Sequence, residues 1–192
     1  MQVRFPALLV AVIAVATLAA CDDQSPFRAQ FANAERRMTV YAMNGTPPSL
    51  PSAVNVRSST PQRIDPTWQF DVAFDMDEFG FVRVHSVRTV ASELAPVNRV
   101  GFRIDSVNSY ASITQAPTSG FVYDTSMALL AGRTLLIDVL DPSCQGRSFL
   151  GFNIRAKLMI DSVDATNRSL TFRILTNANC GFRSLVEGLP KD

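Results

Sequence analysis

The 192-residue chain holds a single histidine, His85, and this bounds the acid–base and nucleophilic chemistry open to it. A Ser-His-Asp site would have to use His85, yet it follows Val82 and Val84 in an alternating stretch without a GxSxG-type serine motif. That context predicts an exposed strand histidine and no catalytic residue. The densest supply of acids is Asp75-Met76-Asp77-Glu78-Phe79-Gly80. Calcium needs several oxygen ligands on a tight loop, which makes Asp75, Asp77 and Glu78 candidate ligands beside a turn glycine. An EF-hand loop, however, would want an oxygen ligand where Phe79 stands, and a bidentate acid where Ser86 stands. A hairpin with acids at its solvated tip explains the same residues.

Three cations form the second constellation. Arg155, Lys157 and Arg173 occupy odd positions in two alternating segments on either side of Asp164–Arg168. Paired as a hairpin, those segments would set the three on one outward face, a candidate site for phosphate headgroups or an acidic glycan. Asp161 on the same face offers the plainer reading, a balanced solvated surface. Cys144 and Cys180 lack CxxC spacing and form an even pair once Cys21 is set aside, so a disulfide is expected in an oxidising compartment.

The elements that must carry these residues read as strands, because the dominant period from Met38 onward is two. Trp68, Phe70, Val72, Phe74 and Met76 share one face; Val100, Phe102 and Ile104 repeat the pattern. So do Phe152, Ile154, Ala156, Leu158 and Ile160, and then Leu170, Phe172 and Ile174. Leu135 to Leu140 is almost continuously apolar and suits a central strand. Shorter candidates are Thr39–Met43, Val54–Arg57, Phe81–Val90 and Gly120–Tyr123. Prolines 47, 48, 51, 61, 66, 96, 117 and 142 punctuate the chain, and Asp164–Arg168 reads as a hairpin loop. An all-β fold follows: one antiparallel β-sandwich, Ig-like or related, with a small barrel as the alternative.

Composition narrows the function classes. Hydrophobic residues make up 47% of the chain and charged residues 18%, which argues against extensive disorder. Lys and Arg number 18 against 17 acids, a net charge of +1, so no strong positive field exists for nucleic acid. No phosphate-cradling glycine loop or dinucleotide fingerprint is present, and no cofactor is expected.

Sixteen of the first twenty residues are hydrophobic, and after Arg4 no charge occurs from Phe5 to Ala20. This segment is short for a membrane span and ends in small residues, as signal peptides do. Leu18-Ala19-Ala20-Cys21 resembles the lipobox of bacterial lipoproteins. The resemblance covers the first 21 residues and implies a lipid-linked Cys21 as the new N-terminus. Such an anchor would hold the protein to a membrane of the cell envelope, facing the periplasm or the exterior. In the same family, aspartate after the cysteine, here Asp22, resembles an inner-membrane retention signal under enterobacterial sorting; the leaflet is left open.

The expected organisation is a signal peptide over residues 1–20 and a lipidated N-terminus and tether over 21–37. The tether carries one short helical stretch between Ser25-Pro26 and Arg36-Arg37, and the sandwich covers 38–192. Seventeen residues from Cys21 to Met38 reach about 60 Å at most, so the domain stays near its membrane. The expected function is non-enzymatic: a binding or structural domain with an envelope protein or glycan as partner. The alternatives are a carboxylate-dependent hydrolase acting on envelope glycans, and an assembly subunit docking through an exposed strand edge.

Overall fold

The computed structural model describes residues 28–67, 69–91, 98–146 and 150–191. Two antiparallel sheets pack face to face, as expected for a β-sandwich, and neither closes into a barrel. The six-stranded sheet runs in the order β1 (Ala34–Tyr41), β11 (Ser169–Asn177), β10 (Asn153–Asp164), β9 (Thr134–Leu140), β6 (Arg99–Asp105) and β7 (Val122–Tyr123). The five-stranded sheet runs β3 (Thr60–Gln62), β2 (Ala53–Asn55), β4 (Val72–Met76), β5 (Val82–Ser86) and β8 (Ser126–Leu129).

Alternation places the core. Val72, Phe74, Val82, Val84, Phe102, Ile137, Ile154, Leu158 and Phe172 are buried between the sheets, and Phe74 stacks on Phe172 with ring centroids 5.1 Å apart. In β9 nearly every residue is buried, because both faces are covered. The parity of β10 changes late in the strand. Its register with β11 shifts between Ile160 and Ser162, a bulge at Asp161, so Val163 packs on the core although its number is odd.

A third layer covers the outside of the six-stranded sheet. Tyr110, Ile113 and Ala116 from the segment after β6, together with Leu185 near the C-terminus, bury Leu136 and Leu175. The two covering segments pair with each other through Ala116 N–H to Arg183 and Leu185 N–H to Thr114.

Several boundaries differ from expectation. The helical stretch and tether assigned to residues 22–37 end sooner, because Ala34–Arg37 already ladder with Thr176–Arg173 of β11; residues 22–27 lie outside the described residues. The sandwich therefore includes residues before Met38. Phe81–Val90 is strand only to Ser86, after which Val87–Val90 forms one helical turn. Of the Trp68–Met76 stretch, the described strand covers Val72–Met76, and Trp68 itself lies outside the described residues. Signal peptide and Cys21 fall outside them too. Among the described residues, no helix is long and apolar enough to cross a membrane.

Candidate functional site

Strand directions define two ends. Residues before β1, after β11 and before β10, together with the β9–η turn at Pro142–Cys144, share the end at which Arg28 enters. The turns after β4, β8 and β10 share the other end. With twelve residues in β10, these ends stand roughly 35 Å apart.

At the far end, β4 and β5 form the expected hairpin, with Asp75 opposite Arg83. The candidate calcium ligands do not converge there, and among the described residues no group of three or more His, Cys, Asp or Glu side chains could hold a metal. Asp75 is spent on its neighbours: it accepts from the Asn44 amide and side chain and from Met76 N–H, and lies 3.8 Å from Arg168. Asp77 accepts from the N–H groups of Phe79 and Phe81 at 3.0 and 2.9 Å, which closes the turn, while Glu78 is exposed. These acids build the hairpin tip. Beside them Phe79 is 76% exposed, Phe81 57% and Leu130 54%. Val82 pairs with Leu129, so Phe81 and Leu130 flank the same rung and the three apolar side chains group at the tips.

His85 is half-buried rather than an exposed strand residue. It lies on the outer face of the five-stranded sheet, with Nδ1 2.7 Å from the Ser126 hydroxyl and Nε2 buried without a partner. Burial lowers its pKa, against the raising effect of Asp75. Ser126 was not a sequence-level candidate, since it lies 41 residues away with no motif around it. The dyad holds a serine and a base, but its second nitrogen meets no orienting carboxylate, which the triad arrangement requires.

The three cations share a face as expected, yet that face is closed. The third layer covers it, and each cation is already engaged. Lys157 is 4% exposed, donates to the carbonyls of Tyr110 and Ile113 at 2.9 and 2.8 Å, and sits 4.6 Å from the Tyr110 ring centroid. Burial lowers its pKa, and Glu35 and Glu187 work in the opposite direction. Arg155 pairs with Asp138 at 3.1 Å and donates to the carbonyls of Gly181 and Phe182. Arg173 meets Asp161 at 2.6 Å, and Arg37 holds the other oxygen of that carboxylate at 3.1 Å. The anion-binding reading of Arg155, Lys157 and Arg173 is therefore corrected: their charges bind the chain's own carbonyls and carboxylates.

Cys144 and Cys180 are bonded as expected, with Cα atoms 5.6 Å apart. Arg57 lies over the bridge, its Nη2 3.3 Å from the Cys144 sulfur, and is held by Asp141 at 2.7 Å. Burial raises the Asp141 carboxyl, but hydrogen bonds from Arg57 and Ser143 outweigh it and leave the pKa below its ordinary value.

The open clefts are shallow features of the third layer and the far end. One of about 440 Å³ lies between Thr114–Gln115 and Ser184–Lys191, and one of about 140 Å³ is lined by Asp75, Asp77, Phe81 and Arg83. Neither gathers an acid, a base and a nucleophile. No family model matches the chain, and no curated protein or solved structure is significantly similar to it.

Proposed function

We propose that the chain is a lipoprotein of the cell envelope, anchored through a lipid on Cys21, whose β-sandwich binds or supports a partner and turns over no substrate. The observation that supports this reading is the apolar cluster of Phe79, Phe81 and Leu130, exposed together at the end of the sandwich opposite Arg28. Large apolar side chains grouped at loop tips mark interaction surfaces. An anchor at the N-terminal side leaves that end free to meet an envelope protein or glycan, in the periplasm or outside the cell. The Asp22 that follows Cys21 favours the inner membrane where enterobacterial sorting applies.

Mass spectrometry of membrane-extracted protein tests the anchor: the expected N-terminus is an acylated Cys21, and a Cys21→Ser chain that stays equally membrane-bound refutes it. Cross-linking in intact envelopes tests the far end. A Phe79→Ser/Leu130→Ser variant is expected to lose wild-type cross-links while keeping its melting curve. Saturable turnover of an envelope glycan, abolished by alanine at Asp75, Asp77 and Glu78 together, would overturn the non-enzymatic reading in favour of the hydrolase.

The assembly reading has one observation of its own. β1 is an eight-residue edge strand, laddered to β11 on one side, with Glu35, Arg36 and Arg37 exposed. Such charges guard an edge against indiscriminate pairing, so a docking strand would have to match them.

A further inference from the structure

The end at which the chain enters the domain carries an apolar surface of its own. Phe31 is 56% exposed, Leu150 45%, Phe152 48% and Leu189 57%. Backbone hydrogen bonds bring the four together. Phe31 N–H donates to the Asn179 side chain at 2.9 Å, and Asn179 Nδ2 donates back to the Phe31 carbonyl at 2.8 Å. Two residues on, Gly181 N–H reaches the Asn153 carbonyl at 2.9 Å, next to Phe152. Leu150 is closer still: a Cβ on Gly181 would fall 2.5 Å from its carbonyl carbon. Asn33 pairs with Gly188 in both directions, and this sets Leu189 beside the Phe31 strand. Arg28 and Lys191, both exposed, flank the group.

The chain itself limits what this surface can face. The uncharged apolar segment from Phe5 ends at Ala20, and Arg28 is only eight residues further on. Fully extended, those residues span about 28 Å. Whether the segment is retained in a bilayer or is replaced by a lipid on Cys21, the entry end stays within that distance of the membrane.

We propose that Phe31, Leu150, Phe152 and Leu189 form a lipid-contacting face, on which the sandwich stands at the headgroup–acyl boundary of a bilayer, with its long axis away from the membrane. The proposal rests on the membrane-anchored reading given above, but adds a defined orientation that an anchor alone does not supply. A flexible tether would leave the domain free to tumble beside the bilayer. Insertion of four large apolar side chains, with cations at the rim for anionic headgroups, would fix it.

The test uses the full processed chain in vesicles of phosphatidylethanolamine and phosphatidylglycerol. Two tryptophan reporters, Phe152→Trp and Phe79→Trp, are made in a Trp68→Phe background and quenched with lipids brominated near the headgroups. At the shallow depth of an interfacial side chain, Phe152→Trp emission is expected to fall about twofold while Phe79→Trp emission is unchanged. Hydrogen exchange on the wild-type chain repeats the test without substitution: peptides over residues 28–33 and 150–153 slow on vesicles, and those over 77–81 do not. Flotation with equal quenching at both reporters, or none at either, overturns the face and leaves the anchor standing. Failure to float at all removes the anchor and the face together. Protection that grows with protein density on the vesicles assigns the surface to a second copy of the chain and overturns the proposal.

Discussion

Loss of the Cys144–Cys180 bridge should destabilise the sandwich by an amount set by the chain it encloses. The cysteines lie 36 residues apart, and between them run the whole of β10 and β11. In the folded state the bridge joins the turn after β9 to the segment after β11, two places the ladder already holds close. Its contribution therefore falls on the unfolded chain, whose loop-closure entropy it removes. For a loop of this length that amounts to about 4 kcal/mol. In a domain of this size each kcal/mol moves the melting temperature by about 2–4 °C, so the shift is about 8–16 °C.

The cleaner perturbation is Cys144→Ala/Cys180→Ala, which leaves the Arg57–Asp141 pair at 2.7 Å in place, whereas reduction sets two thiols beside a guanidinium and favours the thiolate. Urea unfolding followed by circular dichroism should show the lower stability. It should also show a steeper denaturant slope, because the unbridged chain exposes more surface on unfolding. A loss under about 1 kcal/mol with an unchanged slope would refute the reasoning: the β10–β11 hairpin would then persist in the unfolded state and do the constraining itself.

Three further outcomes follow from single residues. Gly181 has φ +82° and a Cβ there would strike the Leu150 backbone at 2.5 Å, so Gly181→Ala should cost about 2–5 kcal/mol in urea unfolding. Lys157→Met keeps the stem but orphans the Tyr110 and Ile113 carbonyls; a net loss of about 1–3 kcal/mol is expected, with faster hydrogen exchange over residues 106–116. Asp141 has a lowered pKa in the fold, so the unfolded chain binds the proton first as pH falls. Its contribution is complete above the ordinary carboxylate value of about 3.9 and is lost as pH drops through the folded value; Asp141→Asn should flatten the acid limb of the stability profile.

The large strands were legible because each buries one face. Phe172, Ile174, Ile154 and Leu158 announce theirs by alternation, and the unbroken run in β9 announces a strand covered on both sides. β1 was read four residues late for the opposite reason. As an edge strand it leaves Ala34–Arg37 in water, so no apolar pattern marks the residues that its ladder holds. β3 contains Pro61, which a central strand would exclude and an edge strand tolerates. β8 has four residues, too few for a period to register. Cys144 and Cys180 could be paired by counting alone. Ser126 could not be joined to His85, because a cross-strand contact between β5 and β8 depends on register and leaves no local trace.

The closed cationic face shows where one-dimensional reading fails and what the failure implies. Alternation placed Arg155, Lys157 and Arg173 together and outward, and the sheet does so. What alternation cannot carry is that the aperiodic segment around Tyr110 folds back over them, because its anchoring groups are backbone carbonyls. Two carbonyls need a donor, and a lysine from the sheet beneath supplies it; the Tyr110 ring takes both Lys157 and Arg173 at 4.6 and 5.6 Å. Charge that looked available for a ligand is thus consumed in fastening the third layer. The six-stranded sheet loses its outer face as a recognition surface, and its inner face is core. Exposed apolar side chains gather instead at the two ends, where strands stop and alternation no longer dictates which side chains are covered. On the reading proposed here, one end is turned to the membrane by the shortness of the chain that leads to it. The other, roughly 35 Å away along β10, then becomes the surface presented to a partner.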